Sequence, residues 1–446
     1  MVFVDREVEL GVLEKAWSRR PCFVVIYGRR RIGKTCLVRE FLKRHNGVYY
    51  FCQLSSHSDN LKRLSSTIAD YLGYDVVKEL EYSSLDKLLS LATRFRNDLV
   101  IVLDEFSYWV RVAPRVLSEL QYFIDNVLLD TMALIVVVGS IYTVMIRDVL
   151  GGSSPLYGRA LYRIHLKEFN PWDLKLFIPR YKPIDRVRVY ALFGGIPFYL
   201  RLIRDDKPLV DNIYELIISP YAPLRYERDL LLREEFREPH TYNAVLSAIA
   251  RGYTTPSKIA NLLGFDRGYV AKCLSILETL GYVKPVKPLF MKKAIGYKIS
   301  DPILRTWYHL VEPIQSLLDT ESYSEALAYI MEKIDQYTSS VYEEVVEKVL
   351  SRRFVSRGYM LHGKMIYRGE EIDHVYIDPD KKEAIVVEVK WSDLGYRDAK
   401  RILYGLEARA HRLLKDYSLR DKVLVVRRYL DVDKPGNVLT VSDLGI

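Results

Sequence analysis

Short apolar runs rich in Val, Ile and Leu punctuate the first 165 residues of this 446-residue chain. They occupy positions 23–26, 99–103 and 133–138. Runs of this length and composition are typical of strands that are buried on both faces, as in a parallel sheet. A helix is predicted shortly after the first run, at 36–42. We therefore predict an α/β unit with a parallel sheet over residues 1–165.

The rest of the chain divides into four further segments. A helical, proline-interrupted pattern at 166–238 predicts a lid and linker. Residues 239–305 show helical stretches followed by two short strands, which is typical of a winged helix-turn-helix. A three-helix module that docks a protein is the alternative interpretation of that segment. A helical linker at 306–335 and a C-terminal α/β domain at 336–446 complete the predicted organisation.

A hairpin is predicted in the C-terminal domain, because the turn signal Pro-Asp-Lys-Lys separates two strand-like runs. If Asp380 and Lys381 form its loop, Asp373 lies directly opposite Glu388. Side chains alternate along a strand, so Glu388 and Lys390 share one face. We therefore predict that Asp373, Glu388 and Lys390 form one cluster.

The net charge of +9 is distributed unevenly. Residues 240–300 contain nine Lys or Arg and two Asp or Glu, which is typical of a segment with a polyanionic partner. The four cysteines show neither a CxxC pair nor zinc-site spacing. No apolar run approaches the roughly 18 residues that a membrane helix needs. We expect a cytoplasmic protein without a membrane partner.

The segment after the first apolar run fits the phosphate-binding pattern GxxxxGK[ST]. Backbone N–H groups of such a loop face the phosphates, and we expect Lys34 to reach the terminal phosphates and Thr35 to be a ligand of Mg²⁺. The predicted nucleotide-binding residues are Gly28, Arg29, Arg30, Arg31, Ile32, Gly33, Lys34, Thr35 and Cys36.

Polar residues follow the second and third apolar runs. Asp104 is predicted to hold Mg²⁺, and Glu105 to polarise the attacking water. Ser140 is predicted to sense the γ-phosphate, with a simple turn as the alternative. Arg159 is a candidate arginine finger, supplied by its own chain or by a neighbour, or else a surface ion-pair residue. The predicted catalytic set here is Lys34, Glu105, Ser140 and Arg159.

The hairpin cluster has a chemical use. Two carboxylates, Asp373 and Glu388, suit Mg²⁺, with Mn²⁺ as an alternative, and Lys390 suits stabilisation of negative charge. A helical, acidic segment upstream is expected to add Glu343, or less favourably Glu344, as a further metal ligand. The alternative is a surface hairpin whose charges are solvated.

Contacts to DNA are predicted from the winged helix. Its second helix is expected to present Arg267, Tyr269 and Lys272 towards the major groove. Basic residues of the wing are expected to meet phosphates. The wing residues concerned are Lys284, Lys287, Lys292 and Lys293.

Several motifs resemble those of known families. The segment F-x-x-R-x-x-E-L at 3–10 resembles the adenine-side box of AAA-type and STAND-type ATPases, which implies that Phe3 and Arg6 lie near the base or the rim of the site. Gly-Gly-x-Pro at 194–197 resembles the turn of their helical lid. The spacing Asp-x14-Glu-x-Lys resembles the PD-(D/E)xK nuclease core, although Ile372 replaces the motif's proline. RGxEID…EVKWS at 368–392 resembles the DUF234 domain.

Together these parts resemble an archaeal ATPase family that combines an AAA/STAND-type P-loop domain, a winged helix and a C-terminal DUF234-type domain. The resemblance implies ATP-dependent action connected with DNA, with ATP and Mg²⁺ as cofactors. Together with the hairpin cluster, it leads to the first hypothesis, an ATP-regulated, Mg²⁺-dependent DNA nuclease. Two alternatives stay open. One is a regulatory ATPase whose nuclease-like domain does not cleave, and the other is an oligomeric DNA-remodelling motor that uses Arg159 between subunits.

Overall fold

The structure is a computed structural model that describes residues 6–140 and 144–446. The chain forms two compact units, Met1–Glu168 and Phe169–Ile446. No helix in the described part of the chain combines the length and the apolar character needed to cross a bilayer.

The first unit contains a five-stranded parallel sheet in the order β2-β3-β4-β1-β5. Its strands are β1 Cys22–Tyr27, β2 Val48–Phe51, β3 Val100–Asp104, β4 Leu134–Gly139 and β5 Tyr162–His165. The helices are Glu7–Ser18, Lys34–Arg44, His57–Leu72, Val76–Glu79, Leu85–Phe95, Phe106–Val112 and Val116–Asn126, with a 3-10 turn Leu128–Asp130 and a π-helical turn Met145–Val149. The three apolar runs correspond to β1, β3 and β4, so the prediction of an α/β unit with a parallel sheet is confirmed.

Burial on both faces explains why these strands show no polar alternation. In β1, Phe23 and Val25 enter one core cluster, while Val24 and Ile26 enter the cluster on the opposite side of the sheet. Helices pack on each face and remove both sides of the strand from water.

The second unit begins with a helical segment at 169–235. Its helices are Leu174–Phe177, Pro183–Phe193, Pro197–Leu200, Leu209–Ile213 and Glu227–Glu235, with a 3-10 turn Pro171–Asp173 and a π-helical turn Tyr214–Ile218. Gly194 ends the helix Pro183–Phe193, and Pro197 begins the next one. A Cβ on Gly195 would lie 1.8 Å from the backbone oxygen of Phe169, so the Gly-Gly-x-Pro turn admits no larger residue there.

The winged helix-turn-helix follows as predicted. Its helices are Pro239–Ala250, Pro256–Leu263 and Arg267–Thr279, and its antiparallel strands are β6 Val283–Val286 and β7 Gly296–Ile299. The Thr255 side chain caps the second helix by accepting from the Lys258 N–H. The Asp266 carboxylate caps the third helix in the same way. Such caps satisfy N–H groups that a helix leaves open at its start.

A long helix connects the winged helix to the C-terminal sheet. The connection contains Pro302–Thr306, a π-helical turn Trp307–Val311, a 3-10 turn Glu312–Ile314, Gln315–Asp319 and the 33-residue helix Tyr323–Val355. This last helix runs without a break across position 335/336, where the sequence pattern predicts a boundary between linker and domain. The helix is continuous because its buried positions repeat at helical spacing on both sides of position 335/336.

The C-terminal sheet has the order β12-β11-β10-β9-β8. Its elements are β8 Leu361–Tyr367, β9 Glu370–Asp378, β10 Glu383–Leu394, the helix Tyr396–Leu413, β11 Ser418–Tyr429, β12 Val438–Thr440 and a 3-10 turn Val441–Leu444. Strands β8, β9 and β10 are antiparallel neighbours, while β10 and β11 run parallel. Helix, hairpin strands, helix and strand therefore follow one another in the order predicted for a nuclease-like α/β domain.

Candidate functional site

The phosphate-binding loop lies between β1 and the helix Lys34–Arg44. A Cβ on Gly28 would lie 2.5 Å from the backbone oxygen of Leu166, so this position admits glycine alone. Gly33 adopts a left-handed conformation with φ 95° and directly precedes the helix. The loop thus leads into a helix N-terminus, whose unpaired N–H groups and dipole favour bound phosphate.

The side chains of the loop take different positions. Lys34 is buried, and its Nζ donates to the backbone oxygens of Gly28 and Arg29, both at 2.9 Å. Arg30 donates to the Tyr108 hydroxyl at 3.0 Å. Ile32 lies in the apolar core beneath the loop, so only its backbone is available to a ligand.

Arg31 and Cys36 complete the loop and the first turn of the helix that follows it. Arg31 has a φ of 67°, which helps to curl the chain, and the Cys36 thiol is exposed on the first turn of the helix. Because Lys34 Nζ bonds to the carbonyls of Gly28 and Arg29, the lysine lies along the inside of the loop, where it could neutralise phosphate charge.

The carboxylate of Asp104 connects three elements of the first unit. Its Oδ2 accepts hydrogen bonds from the Thr35 hydroxyl at 2.7 Å and from the Tyr49 hydroxyl at 2.8 Å. Its Oδ1 accepts from the backbone N–H of Glu105 at 2.9 Å. Asp104 is fully buried. A hydroxyl oxygen and a carboxylate oxygen in contact are the ligands that Mg²⁺ prefers, so Thr35 and Asp104 fit that ion.

Glu105 and Ser140 meet at the carboxyl ends of neighbouring strands. The Ser140 hydroxyl donates to Glu105 Oε2 at 2.5 Å, and the Ser140 N–H lies 3.3 Å from the same oxygen. Glu105 has a φ of 51°, an unusual conformation for a residue other than glycine. Backbone strain of this kind is retained where the surroundings over-determine it, and it concentrates at functional sites. The contact gives Ser140 a polar partner in the site, which a simple turn would not require.

Arg159 forms an ion pair within its own chain. Its Nε and Nη2 bond to the two oxygens of Asp125 at 2.8 and 2.7 Å, and its Nη1 donates to the Pro155 oxygen at 2.7 Å. This geometry corresponds to the ion-pair alternative. A role as an arginine finger would require these bonds to break.

Arg6 connects the first helix to the phosphate-binding loop. Its Nη2 donates to the backbone oxygens of Lys167 at 2.7 Å and Ile32 at 3.5 Å, and its Nη1 pairs with Glu9 at 3.1 Å. Arg6 thus contacts the loop through the Ile32 carbonyl, and its role near the nucleotide stays a prediction. Phe3 lies outside the described residues.

The C-terminal hairpin has the predicted register. Cross-strand pairs run from Glu383–Asp378 to Val387–His374, and one further step along this register would place Glu388 opposite Asp373. Both carboxylates are buried. The turn itself spans 379–382, and Asp378 stabilises it by accepting the N–H groups of its residues.

The acidic side chains of this hairpin already have partners. Asp373 Oδ2 accepts the backbone N–H of Val389 at 2.8 Å. Glu388 Oε1 pairs with Lys390 Nζ at 2.8 Å, and Glu388 Oε2 pairs with Arg409 Nη2 at 2.6 Å. Although burial favours the neutral amine, the bond to Glu388 raises the pKa of Lys390 and keeps it charged. Arg409, on the helix Tyr396–Leu413, is thus a member of the site that sequence reasoning missed.

Glu343 lies near this cluster but is paired elsewhere. Burial raises the pKa of its carboxyl, Lys364 opposes that shift, and the charge of Asp373 adds to it. Its Oε2 is 3.3 Å from Lys364 Nζ, which also contacts Glu371 at 2.5 Å.

The predicted three-carboxylate metal site does not form. Within residues 6–140 and 144–446, no group of three or more His, Cys, Asp or Glu side chains is placed to hold a metal ion. Glu343, Asp373 and Glu388 were the expected ligands, but each carboxylate bonds to a cation or an N–H group of the protein. The three carboxylates, as arranged, therefore do not form one site for Mg²⁺ or Mn²⁺, and Glu388 would have to leave Lys390 or Arg409 to bind such an ion.

The winged helix presents only part of the predicted DNA-binding set. Arg267, Tyr269 and Lys272 are exposed on the helix Arg267–Thr279. In the wing, Lys287, Lys292 and Lys293 are exposed.

Lys284 differs from the other wing lysines. It pairs with Glu344 on the long helix at 3.4 Å, together with Lys298 at 2.8 Å and Arg305 at 3.3 Å. Its ammonium therefore faces an internal acid instead of an open DNA-binding surface. The prediction did not anticipate this because Glu344 is distant in sequence.

The wing also docks on the C-terminal sheet. The Leu289 N–H donates to the Lys364 oxygen at 2.6 Å, and the Leu289 side chain packs against the core between sheet and helix. Phe290 stacks near Tyr417 with ring centroids 6.2 Å apart. The winged helix and the C-terminal sheet are thus directly connected within the second unit.

The fold and the first site define a class of protein. A parallel sheet with a phosphate-binding loop after β1, acids after β3 and a polar residue after β4 is that of a P-loop ATPase of AAA-like type. The chain belongs to an archaeal ATPase family. A family described as "ATPase domain predominantly from Archaea" matches residues 3–203, and the DUF234 family, described as "Archaea bacterial proteins of unknown function", matches residues 307–402.

One relative extends this result over most of the chain. An uncharacterised protein of Methanocaldococcus jannaschii is 33% identical over 413 residues, which cover 91% of each chain. An uncharacterised ATP-binding protein of the same organism is 43% identical over 55 residues, covering 12% of this chain and 93% of that protein. The solved Walker-type ATPase of Pyrococcus abyssi has a TM-score of 0.52 at 22% identity and covers 69% of this chain and 96% of its own, which shows a shared fold.

The Tyr49 hydroxyl, together with that of Thr35, donates to Asp104 Oδ2. Tyr49→Phe removes one of the donors to buried Asp104 and should weaken the site's hold on Mg²⁺ by about tenfold, because an unmet hydrogen bond to a buried charge costs roughly 1–3 kcal/mol. The Mg²⁺ concentration at half-maximal binding of a fluorescent ATP analogue measures this.

Tyr50→Phe is the matched control. Tyr50 lies next in β2, and its hydroxyl donates to Asn60 at 2.9 Å instead of to Asp104. Binding measured without Mg²⁺ should be alike in the wild type and both variants. Equal Mg²⁺ dependence of the two variants would contradict a role for Tyr49 in positioning Asp104.

Proposed function

We propose that this protein binds and hydrolyses ATP with Mg²⁺ and that it binds DNA through its winged helix. The observation that carries the ATPase assignment is the joint placement of Thr35 and Asp104, whose oxygens lie 2.7 Å apart beside the phosphate-binding loop. The M. jannaschii relative with "ATP-binding" in its name supports the same nucleotide.

Each residue of the site has a role in this proposal. The loop N–H groups and Lys34 bind and neutralise the phosphates, while Thr35 and Asp104 would hold Mg²⁺. When bound, that ion neutralises charge on the phosphate oxygens. Glu105 accepts a hydrogen bond from the attacking water and so aims it at the γ-phosphate. Ser140 holds the Glu105 carboxylate until nucleotide and water are in place.

Two substitutions separate binding from turnover. Lys34→Ala should abolish tight ATP binding, since the loop loses its buried cation. Glu105→Gln should retain ATP and lose turnover by at least about 100-fold, because a positioned acid–base group contributes on the order of 10²–10⁴ in rate. Equilibrium binding of labelled ATP and release of inorganic phosphate measure the two effects.

The double variant Lys43→Ala/Arg44→Ala is the control for charge. Both residues are exposed at the end of the same helix, with side chains 67% and 55% accessible. Their removal should leave binding and turnover unchanged. Normal hydrolysis by the Lys34→Ala protein would show that the loop is not the catalytic phosphate site.

DNA binding is supported by the charge and exposure of the winged helix. Arg267, Tyr269 and Lys272 lie on the open face of its third helix, and the wing adds exposed lysines. The second helix of a helix-turn-helix, which here is Arg267–Thr279, enters the major groove, and basic wings contact phosphates. The docked wing restricts the proposal to Lys287, Lys292 and Lys293, because Lys284 is paired with Glu344.

Neutralising two wing lysines tests this interface. Lys292→Ala/Lys293→Ala should weaken duplex binding to a similar degree for unrelated sequences. The slope of log K against log salt should flatten by about 1.8, since each phosphate contact contributes about 0.9. Titrations of labelled duplexes over a range of salt concentrations measure both, with Lys43→Ala/Arg44→Ala as the control. Unchanged affinity and slope would favour the protein-docking alternative.

A second candidate function is DNA cleavage by the C-terminal domain. The observation in its favour is the hairpin register, which brings buried Asp373 and Glu388 together with Lys390 in a helix–hairpin–helix–strand order. The ion pair between Glu388 and Arg409 opposes it, because both Glu388 oxygens are occupied. A regulatory ATPase with a non-cleaving C-terminal domain accounts for the same geometry. An oligomeric motor would require Arg159 to leave Asp125.

A cleavage assay decides between these candidates. Wild type, Asp373→Asn and Lys390→Ala are incubated with duplex, single-stranded and branched DNA, with Mg²⁺ or Mn²⁺ and with or without ATP. For the nuclease candidate we expect cleavage by wild type that both substitutions abolish. Intact DNA in every condition, with DNA binding and ATP turnover retained, would overturn it and leave the regulatory ATPase.

A further inference from the structure

The helix Tyr396–Leu413 carries a basic face that neither the ATP site nor the winged helix uses. Arg397, Lys400, Arg401 and Tyr404 are exposed. Lys400 and Arg401 lie three and four positions after Arg397, and Tyr404 lies four and three positions after them, so the four residues form one stripe along the helix. The opposite side of the helix, with Ala399, Leu403, Leu406 and Ala410, is buried against the sheet.

This stripe forms one wall of a shallow groove of about 680 Å³. Lys422 of β11 and Pro435 are among the residues that line the groove with it. The groove therefore lies on the C-terminal domain and is formed entirely by elements of its sheet, its helix and the loop before β12. The packing of the helix's buried side against the sheet determines where the helix lies, and so determines the shape of the groove.

The groove is electrostatically positive. Its lining residues include four cations and no acid. Arg401 is paired with Asp398, and Lys422 with Glu407. In the described part of the chain, Arg397 and Lys400 form no ion pair.

One acid, Asp431, lies beside the groove, where its carboxylate accepts the Tyr396 N–H at 2.5 Å. It caps the start of the helix. The two unpaired cations, Arg397 and Lys400, are thus the charges available to an anionic ligand.

Two tyrosines flank these cations. The Tyr404 side chain is 75% exposed and that of Tyr396 is 50% exposed. Lys400 Nζ lies 5.7 Å from the centroid of the Tyr396 ring, so a cation and an aromatic face are presented together. Nucleic-acid bases stack on exposed aromatic rings of this kind.

We propose that this groove binds single-stranded nucleic acid, with Arg397 and Lys400 on phosphates and Tyr396 and Tyr404 stacked on bases. A duplex does not fit this role, because its bases are stacked inside and their faces do not reach the tyrosines. Alternation of cations with aromatic faces is the arrangement that binds single strands without sequence preference. The groove is a second nucleic-acid site, separate from the winged helix and independent of it.

The test uses the full-length protein and a labelled oligothymidylate of about 16 nucleotides, the upper end of typical single-strand site sizes. Tyr396→Ala/Tyr404→Ala and Arg397→Ala/Lys400→Ala should each weaken binding by about tenfold, measured by fluorescence anisotropy. Tyr404→Phe keeps the ring and should bind like wild type. Duplex affinity and ATP turnover should stay unchanged in all of these variants.

Tyr221→Ala, which removes a tyrosine that is 94% exposed elsewhere in the second unit, is the matched control and should bind like wild type. Oligothymidylate binding that is unaffected by both double variants would overturn the proposal. A second result would also overturn it. In that result the wild type binds vesicles of anionic and neutral phospholipid, Arg397→Ala/Lys400→Ala loses this binding, and both double variants still bind oligothymidylate. Loss of duplex binding on changing Lys292 and Lys293, with tyrosine-dependent oligothymidylate binding intact, would support both sites as separate.

Discussion

The first unit depends on one buried carboxylate. Asp104 is inaccessible to solvent, and a buried charge without partners costs several kcal/mol, on the order of its desolvation energy. Its donors come from the helix after the phosphate-binding loop, from β2 and from the chain after β3. The same contacts that satisfy Asp104 therefore fix the loop, the sheet edge and Glu105 relative to one another. Stability and the preorganisation of the nucleotide site have a common physical cause.

The second unit uses a comparable device. Glu344 is surrounded by Lys284, Lys298 and Arg305, and although burial opposes ionisation, these cations hold the pKa of its carboxyl well below its usual range. The cations belong to the wing and to the helix that follows it, while Glu344 belongs to the long helix that leads into the C-terminal sheet. Glu343, the preceding residue, pairs with Lys364 of β8 in the C-terminal sheet. Winged helix and C-terminal sheet are thus joined through consecutive acids on one helix.

The C-terminal cluster shows how far a motif constrains chemistry. The hairpin brings Asp373, Glu388 and Lys390 to one place, as alternation along a strand requires. Arg409 then adds a cation from a helix that the motif does not contain, and both Glu388 oxygens are paired. A motif of three residues determines proximity, whereas the charge balance of the site depends on every element packed around it.

Local sequence patterns are enough to predict most of the strands and helices and their local geometry. The β-branched runs specify buried strands, the glycines at 28 and 33 specify the phosphate-binding loop, and the turn at 379–382 specifies the hairpin register, because each depends on interactions between residues close in the chain. The partners of the charged groups, in contrast, depend on how the elements pack. Tyr49 with Asp104, Arg159 with Asp125, Lys284 with Glu344 and Arg409 with Glu388 are separated by 55, 34, about 60 and 21 positions. Such pairs form where the order of strands and the angles between packed helices bring side chains together, and no local pattern encodes that arrangement.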